Sequence, residues 1–393
     1  MTCQNVCAIQ ETQHPKKVEM KTYKYRLHPS KSQRTQLIHT LEVCRWVYNE
    51  TLATRKKAWE QEGKPLSLYD TNKLLTVWKQ EHPELKDAFS QVLQNVQGRV
   101  DLAFRAFFSR VKAGEKPGYP RFRGYGWYDS FTFKQSGFEL GDNGLRLSKI
   151  GTVKILQHRP AAGRIKTLTL QREAFGNWYA CFACEVESES LPVNGLAVGV
   201  DMGLESYATL SSGEKVPNPR FFRRDEKELA KAQRKLSKAK QGTPERMLHR
   251  RAVQHIHQRI ANRRKDFAHK LSREWVDSFG KIVFEKLAEK NMLRNHCLAK
   301  SISDAAWNQL IAYTTYKAEN AGRVVVVVDP CNTSRQCSCC GTMVEKSLSV
   351  RVHPCPECGL ILDRDQNAAI NLLGLGLQSL GITREAPASW RGE

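Results

Sequence analysis

The chain has 393 residues, 40% hydrophobic and 26% charged, a balance that suits two or three globular domains and excludes a disordered chain. Lys and Arg exceed Asp and Glu by 22, which points to a polyanionic partner, most often nucleic acid. No uninterrupted apolar stretch approaches the roughly twenty residues of a membrane span, and the opening MTCQNVCAIQETQHPKK has no apolar signal core, so a cytoplasmic protein with a disordered leader over 1–17 is expected, with Met20 as a second start.

In chain order, VEMKTYKYRLHPS (18–30) alternates as a strand does and ends at a proline turn. Ser30 and Gln33 form a capping box for a helix on which Leu37, Leu41, Cys44 and Tyr48 recur at helical spacing. More helical pattern runs from about 68 to 112, broken near Pro83. KPGYPRFRGYGWYDSFTFKQSG (116–137) then mixes aromatic rings with Lys116, Arg121, Arg123 and Lys134 around turn-forming Gly and Pro. That interleaving suits stacking on bases beside phosphate contacts, and equally suits rings that close a barrel. Short alternating runs through GLRLSKIG, TVKILQH, IKTLTLQRE and WYACFACEVE suggest a small β-barrel. Cys181 and Cys184 lie in the last run, where a spacing of three sends side chains to opposite faces, so both are packing residues.

The pattern resets at Pro192–Asn194. GLAVGVDMGLESYATLSSGEKV reads as an apolar strand carrying Asp201, a turn and a second strand. A basic helical region over about 219–278 follows, interrupted near QGTPE; residues 220–270 hold 17 Lys or Arg against 5 Asp or Glu, an electrostatic footprint. His249, His255, His257 and His269 within it have no acid partner or metal spacing and are expected to face solvent or RNA. GKIVFEKL is a buried strand with one acid, Glu285; Ser303 and Gly322 bracket an amphipathic helix; RVVVVVDP is fully apolar and is expected to be central in its sheet.

Two constellations carry chemistry. Cys337, Cys340, Cys355 and Cys358 form C-x₂-C-x₁₄-C-x₂-C, two tight turns that each offer two thiolates to one zinc ion, with no open position for catalysis. Cys331 and Cys339 do not complete a second set, and His353 is the alternative ligand. The second constellation is acidic: Asp201 ends LAVGVD, Glu285 ends KIVFE, and Asp365 precedes QNAAINLL. A buried, unpaired carboxylate costs several kcal/mol unless a cation neutralises it. Three converging carboxylates can hold two Mg²⁺ ions about 3.5–4 Å apart, one to activate water and one to stabilise a leaving 3′ oxygen. Singly, each acid also fits a turn residue, a strand-end charge or a helix cap. Asp363 competes with Asp365 but is better placed as a cap or a charge linked to Arg364, whereas Ala368 and Ala369 let the helix after Asp365 approach the sheet closely.

VGVDMGLESYATLSSG, IVFEKL, TSRQCSCCG…CPECG and DRDQNAAINLL together resemble the TnpB (OrfB) transposon-encoded RNA-guided endonucleases, relatives of type V CRISPR effectors. ANRRKDFAHKLS, YKYRLHPSKSQ, CRWVYNETL and KPGYPRFRG extend the resemblance over nearly the whole chain from about residue 20. It implies an α/β plus β-barrel protein: a wedge-type β-barrel (18–30 and 113–192) with a helical recognition insertion (31–112), then an RNase H-like RuvC nuclease domain (193–330 and 362–393) with an inserted Cys₄ zinc ribbon (331–361). Asp201, Glu285 and Asp365 would be its catalytic, Mg²⁺-binding triad. The implied activity is cleavage of double-stranded DNA beside a short adjacent motif, directed by a guide RNA from a transposon end, with no membrane partner and no small-molecule substrate. Arg263, Arg264 and Lys265 would meet guide or heteroduplex phosphates, while Arg45, Tyr48, Asn49, Arg121 and Phe122 are weaker candidates for reading the adjacent motif. A binding regulator that keeps the fold without cutting, and a transposase acting without RNA, are the rival readings.

Overall fold

The computed structural model describes residues 17–173, 175–188, 190–347 and 350–382. The expected leader lies outside them except for Lys17, as do the last eleven residues of the expected nuclease domain. Two compact units divide the chain between Glu187 and Ser188.

The first unit begins with β1 (Lys17–His28) and α1 (Lys31–Glu62). The Ser30 capping box forms in full: Ser30 Oγ accepts from Gln33 N–H, and the Gln33 side chain accepts from Ser30 N–H. Leu37, Leu41, Cys44 and Tyr48 are all buried, as their spacing requires. After α2 (Leu68–Glu81), Pro83 opens a short 3₁₀ turn, and α3 (Ser90–Lys112) completes the helical segment. β2 (Ser130–Phe133), β3 (Phe138–Gly141), β4 (Gly144–Leu147), β5 (Gly151–Leu156), β6 (Arg164–Arg172) and β7 (Trp178–Ser188) join β1 in a seven-stranded sheet. Its order is β2-β6-β7-β1-β5-β4-β3. The two end strands curl toward each other, with Phe133 and Phe138 ring centroids 6.2 Å apart, so the sheet is nearly a closed barrel. Phe131, Phe133, Leu168, Leu170 and Phe182 fill it. Cys184 is buried in β7 and Cys181 half-buried.

The second unit is built on β8 (Ala197–Met202), β9 (Ser206–Leu210) and β10 (Lys215–Pro217). A helical hairpin follows, α4 (Phe221–Lys238) and α5 (Pro244–Ser278), broken where Thr243 caps α5 and Pro244 takes its first position. Leu229, Ile256 and Ile260 give the hairpin its own small core. Then come β11 (Lys281–Glu285), α6 (Glu289–Met292), α7 (Ala299–Ala305), α8 (Trp307–Ala321), β12 (Val324–Val328), the hairpin of β13 (Val352–Pro354) and β14 (Ile361–Asp363), and α9 (Arg364–Ser379). The main sheet has the order β10-β9-β8-β11-β12. β8 to β10 are antiparallel, whereas β8, β11 and β12 are parallel.

Two expectations change here. β12 is the last strand of its sheet, with Val324 and Val327 exposed, rather than a central one. α8 and α9 both pack on it, which explains the apolar run without a second neighbouring strand. Ser303 lies inside α7 instead of capping the following helix: Ala306, at φ 52°, turns the chain so that α8 starts at Trp307. Gly322 does end α8, in the left-handed conformation.

Candidate active site and cysteine cluster

β8 and β11 are hydrogen-bonded neighbours whose last paired residues are Val200 and Phe284. Asp201 and Glu285 each follow directly, so two acids stand side by side at the carboxyl ends of adjoining parallel strands, the usual place for a ligand in such sheets. Glu285 is buried, and one of its oxygens accepts the Met202 N–H at 3.0 Å. The third acid, Asp365, lies in the first turn of α9. That helix packs so close to the sheet that a Cβ on Gly199 would sit 2.0 Å from the Ala369 carbonyl oxygen, and one on Gly376 2.3 Å from Val283 Cγ2. Ala368 and Ala369 are fully buried in the same contact. Small residues on both partners therefore bring Asp365 to the strand ends. Asp363, not Asp365, caps α9: its Oδ1 accepts from Asp365 and Gln366 N–H, and Lys215 on β10 holds its other oxygen at 2.7 Å.

Asp201, Glu285 and Asp365 line one cleft of about 330 Å³ together with Arg351 and Arg364. Burial, then the charges of Glu285 and Asp365, pushes the Asp201 carboxyl well above the usual carboxylate range. Glu285 is raised to about 7, chiefly by burial and against the opposing Met202 hydrogen bond. These acids form an all-oxygen donor set, which suits a hard divalent cation. The three acids are spread more widely than the cysteines: among the described residues only the four cysteines have ligand atoms all within 4.8 Å of one another.

Arg351 was not singled out by its sequence neighbourhood. It sits beside β13, pairs with Glu205 at 2.8 Å, and lies 3.8 Å from Asp365. Its carbonyl accepts the Arg364 N–H, so the β13–β14 hairpin carries it to the cleft.

Cys337, Cys340, Cys355 and Cys358 converge, with Sγ–Sγ distances of 3.7 Å (Cys337–Cys358) and 3.5 Å (Cys340–Cys355). Sulfurs at zinc-bond length in a tetrahedron lie about 3.8 Å apart, so the set fits zinc. Both turns close alike. Cys337 N–H donates to Thr342 O and Cys355 N–H to Leu360 O, while Gly341 and Gly359 N–H return to Cys337 O and Cys355 O. Each of these glycines has φ above +70°, which is why Gly follows the second Cys of both pairs. The Thr342 hydroxyl and backbone hold the Cys340 thiol down to about 6. His353 is fully buried, its Nδ1 against Lys346 Nζ, and it is not part of the cluster. Asn367 and Asn371, one turn apart on α9, donate to Thr333 O and Gln336 O, and Asn367 Oδ1 accepts the Ser338 N–H. The first knuckle is thus fastened to the helix that carries Asp365.

The expected nucleic-acid contacts divide. Lys265 is exposed with no ion pair among the described residues. Arg263 and Arg259 both grip the buried Asp225, and Arg264 donates to Ser303 O at 2.7 Å, so these arginines also hold α5 to α4 and α7. His249 lies 3.4 Å from Glu245, and the His269 ring stacks on Tyr313 at 4.1 Å, so neither stands as isolated as its spacing suggested. Tyr48 is buried, Arg45 pairs with Glu42, and Asn49 makes two hydrogen bonds to the Arg123 backbone. Arg121 and Phe122 are exposed.

The chain matches a family model described as "Probable transposase" over 181–296, a Cas12f1-like TNB domain over 307–372, and a helix-turn-helix domain over 20–64. A protein of Streptomyces pristinaespiralis named "Putative RNA-guided DNA endonuclease" is 36% identical over 91% of this chain and 89% of its own length. The chain belongs to the TnpB (OrfB) family. Another relative, InsQ of Escherichia coli, named with the same description, is 30% identical over 91% of this chain and 92% of its own. The fold of this TnpB-family chain is that of the Cas12f1 protein in a Cas12f1–sgRNA–target DNA complex, at a TM-score of 0.57, 12% identity, and 90% and 98% coverage of the two chains. The segment matched as helix-turn-helix is β1 followed by one continuous helix here. No helix among the described residues is long and apolar enough to cross a membrane.

Proposed function

We propose that the protein is an RNA-guided endonuclease that cuts double-stranded DNA at a RuvC-like site, using a guide RNA derived from a transposon end and a short motif beside the target. The observation that carries this reading is that Asp201, Glu285 and Asp365 line one cleft at the ends of parallel strands, where burial, then the neighbouring acidic charges, raises the proton affinity of Asp201, and burial raises that of Glu285. The names of the relatives and the antiparallel-then-parallel strand order, typical of RNase H-like folds, support it.

Asp201, Glu285 and Asp365 would together hold the two Mg²⁺ ions. When bound, such ions supply activation of water and stabilisation of the leaving 3′ oxygen. The Met202 N–H keeps Glu285 oriented, and Arg351 offers a guanidinium to a phosphate entering beside Asp365. The four cysteines would hold one structural zinc. The exposed basic face of α4 and α5 would lie on the backbone of guide or heteroduplex, where a guided protein reads shape while pairing reads sequence.

The test is guided cleavage of a plasmid target in Mg²⁺ by protein copurified with its RNA. Asp201→Asn and Asp365→Asn should abolish cutting while the amount of bound RNA stays the same. Cutting by either variant at the parent's rate would remove that acid from the site, and RNA-independent cutting by the parent would remove the guide.

A further inference from the structure

The segment between α3 and β2 is pinned at several points and bare between them. At one end the Tyr119 ring packs edge-on against Phe104 and Phe107, with centroids 5.7 and 5.4 Å away. At the other, Tyr128 is buried and receives Arg99 at 3.3 Å. In the middle, the two Asn49 hydrogen bonds fix the Arg123 backbone, and Trp127 N–H closes a turn onto Gly124 O, with Gly126 at φ 75°. On this anchored frame Phe122 is 55% exposed, and Tyr125 and Trp127 are each 79% exposed. Single exposed rings are ordinary, but three within six residues on a braced turn are surface that folding leaves unused.

Trp127 also forms one wall of a cleft of about 420 Å³, completed by Gly126, Asp129, Arg172, Glu173 and Gly176. Small-ligand pockets span about 300–1,000 Å³. Arg172 N–H donates to Asp129 O at 2.7 Å, which joins the two walls, and the Arg172 guanidinium makes no ion pair among the described residues. Lys24 holds Glu173 Oε1 at 2.6 Å, whereas the Asp129 carboxylate makes no ion pair among the described residues; it disfavours a phosphate inside the cleft, yet can accept from the exocyclic amino group of a base. Lys116 and Arg121, exposed on the same segment, suit the phosphates on either side.

We propose that this cleft captures one unpaired nucleobase, stacked on Trp127 and steadied by Tyr125, with Arg172 meeting a base carbonyl or the adjoining phosphate. The proposal rests on the nucleic-acid-binding part of the function proposed above and adds a position where a strand is gripped by a base face, with no need for sequence readout.

The experiment compares the full-length parent with Trp127→Ala and Trp127→Phe in binding a short fluorescein-labelled oligonucleotide, offered as single-stranded DNA, as single-stranded RNA and as a fully paired duplex. Trp127→Ala should lose about 5- to 150-fold on unpaired probes, the value of one base stacked on a ring, and less than about 2-fold on the duplex. Trp127→Phe should recover most of the loss. A loss on DNA alone would assign the captured base to a melted or displaced DNA strand, a loss on RNA alone to the guide, and a loss on both to a strand-indifferent grip. Unchanged binding of both unpaired probes, or an equal loss on the duplex, would overturn the proposal. Guided cleavage measured on the same preparations separates the two readings: a parent that cuts while Trp127→Ala binds normally refutes the cleft alone.

Discussion

Glu285→Gln separates the electrostatic cost of the acidic cleft from its chemistry. Glutamine keeps the oxygen that accepts the Met202 N–H and removes the charge. In the fold, burial raises this carboxyl from 4.5 to about 7. The folded chain therefore binds the proton more tightly than the unfolded chain, and the resulting stabilisation is complete below about 4.5 and is lost as pH climbs to about 7. At about 1.4 kcal/mol per tenfold in proton affinity, keeping Glu285 ionised near pH 8 costs the metal-free fold on the order of 3 kcal/mol. A unit of this size shifts by about 2–4 °C per kcal/mol, so the variant should melt roughly 6–12 °C higher than the parent in EDTA near pH 8, and roughly 3 °C higher or less near pH 5. Added Mg²⁺ should narrow or reverse that gap, because a ligand at 100 times its dissociation constant contributes about 2.7 kcal/mol to whichever protein binds it. Scanning calorimetry at the two pH values, with and without Mg²⁺, reads all of this. A variant that melts no higher than the parent in EDTA near pH 8, or gains equally at both pH values, would show that Glu285 is not held ionised at a cost.

Two further perturbations address the framework. Cys340→Ser should lower zinc to less than half an ion per chain by elemental analysis and loosen the knuckles; an unchanged stoichiometry would count against four-thiolate binding. Gly199→Ala forces a methyl into the Ala369 carbonyl and should cost about 1–3 kcal/mol or more in urea unfolding; a neutral result would mean that α9 can lift from β8 without penalty.

Much of this architecture was legible from local signals. The Ser30 capping box, the spacing of the cysteine pairs, the break near QGTPE and the apolar runs ending in Asp201 and Glu285 are short-range patterns, and each reflects a constraint met within a few residues. What stayed hidden depends on partners distant in sequence. Five consecutive valines describe a strand with helices against it but not which neighbour it lacks, so β12 was expected at the centre and lies at the edge. The left-handed turn at Ala306 has no glycine to announce it. Arg351 and the Asn367–Asn371 pair look like ordinary polar residues until the β13–β14 hairpin carries Arg351 to the cleft and α9 seats the two asparagines on the first knuckle.

The close seat of α9 on β8 has a consequence for synthesis. The strands bearing Asp201 and Glu285 leave the ribosome well before Asp365, and at about 5–20 residues per second the lag between the second acid and the third lasts some seconds. Through that interval, and in any translation product that stops short of the last helix, the cleft holds two carboxylates and lacks the third. On the function proposed above, the order of residues along the polypeptide would keep the cleft incomplete until the final helix docks.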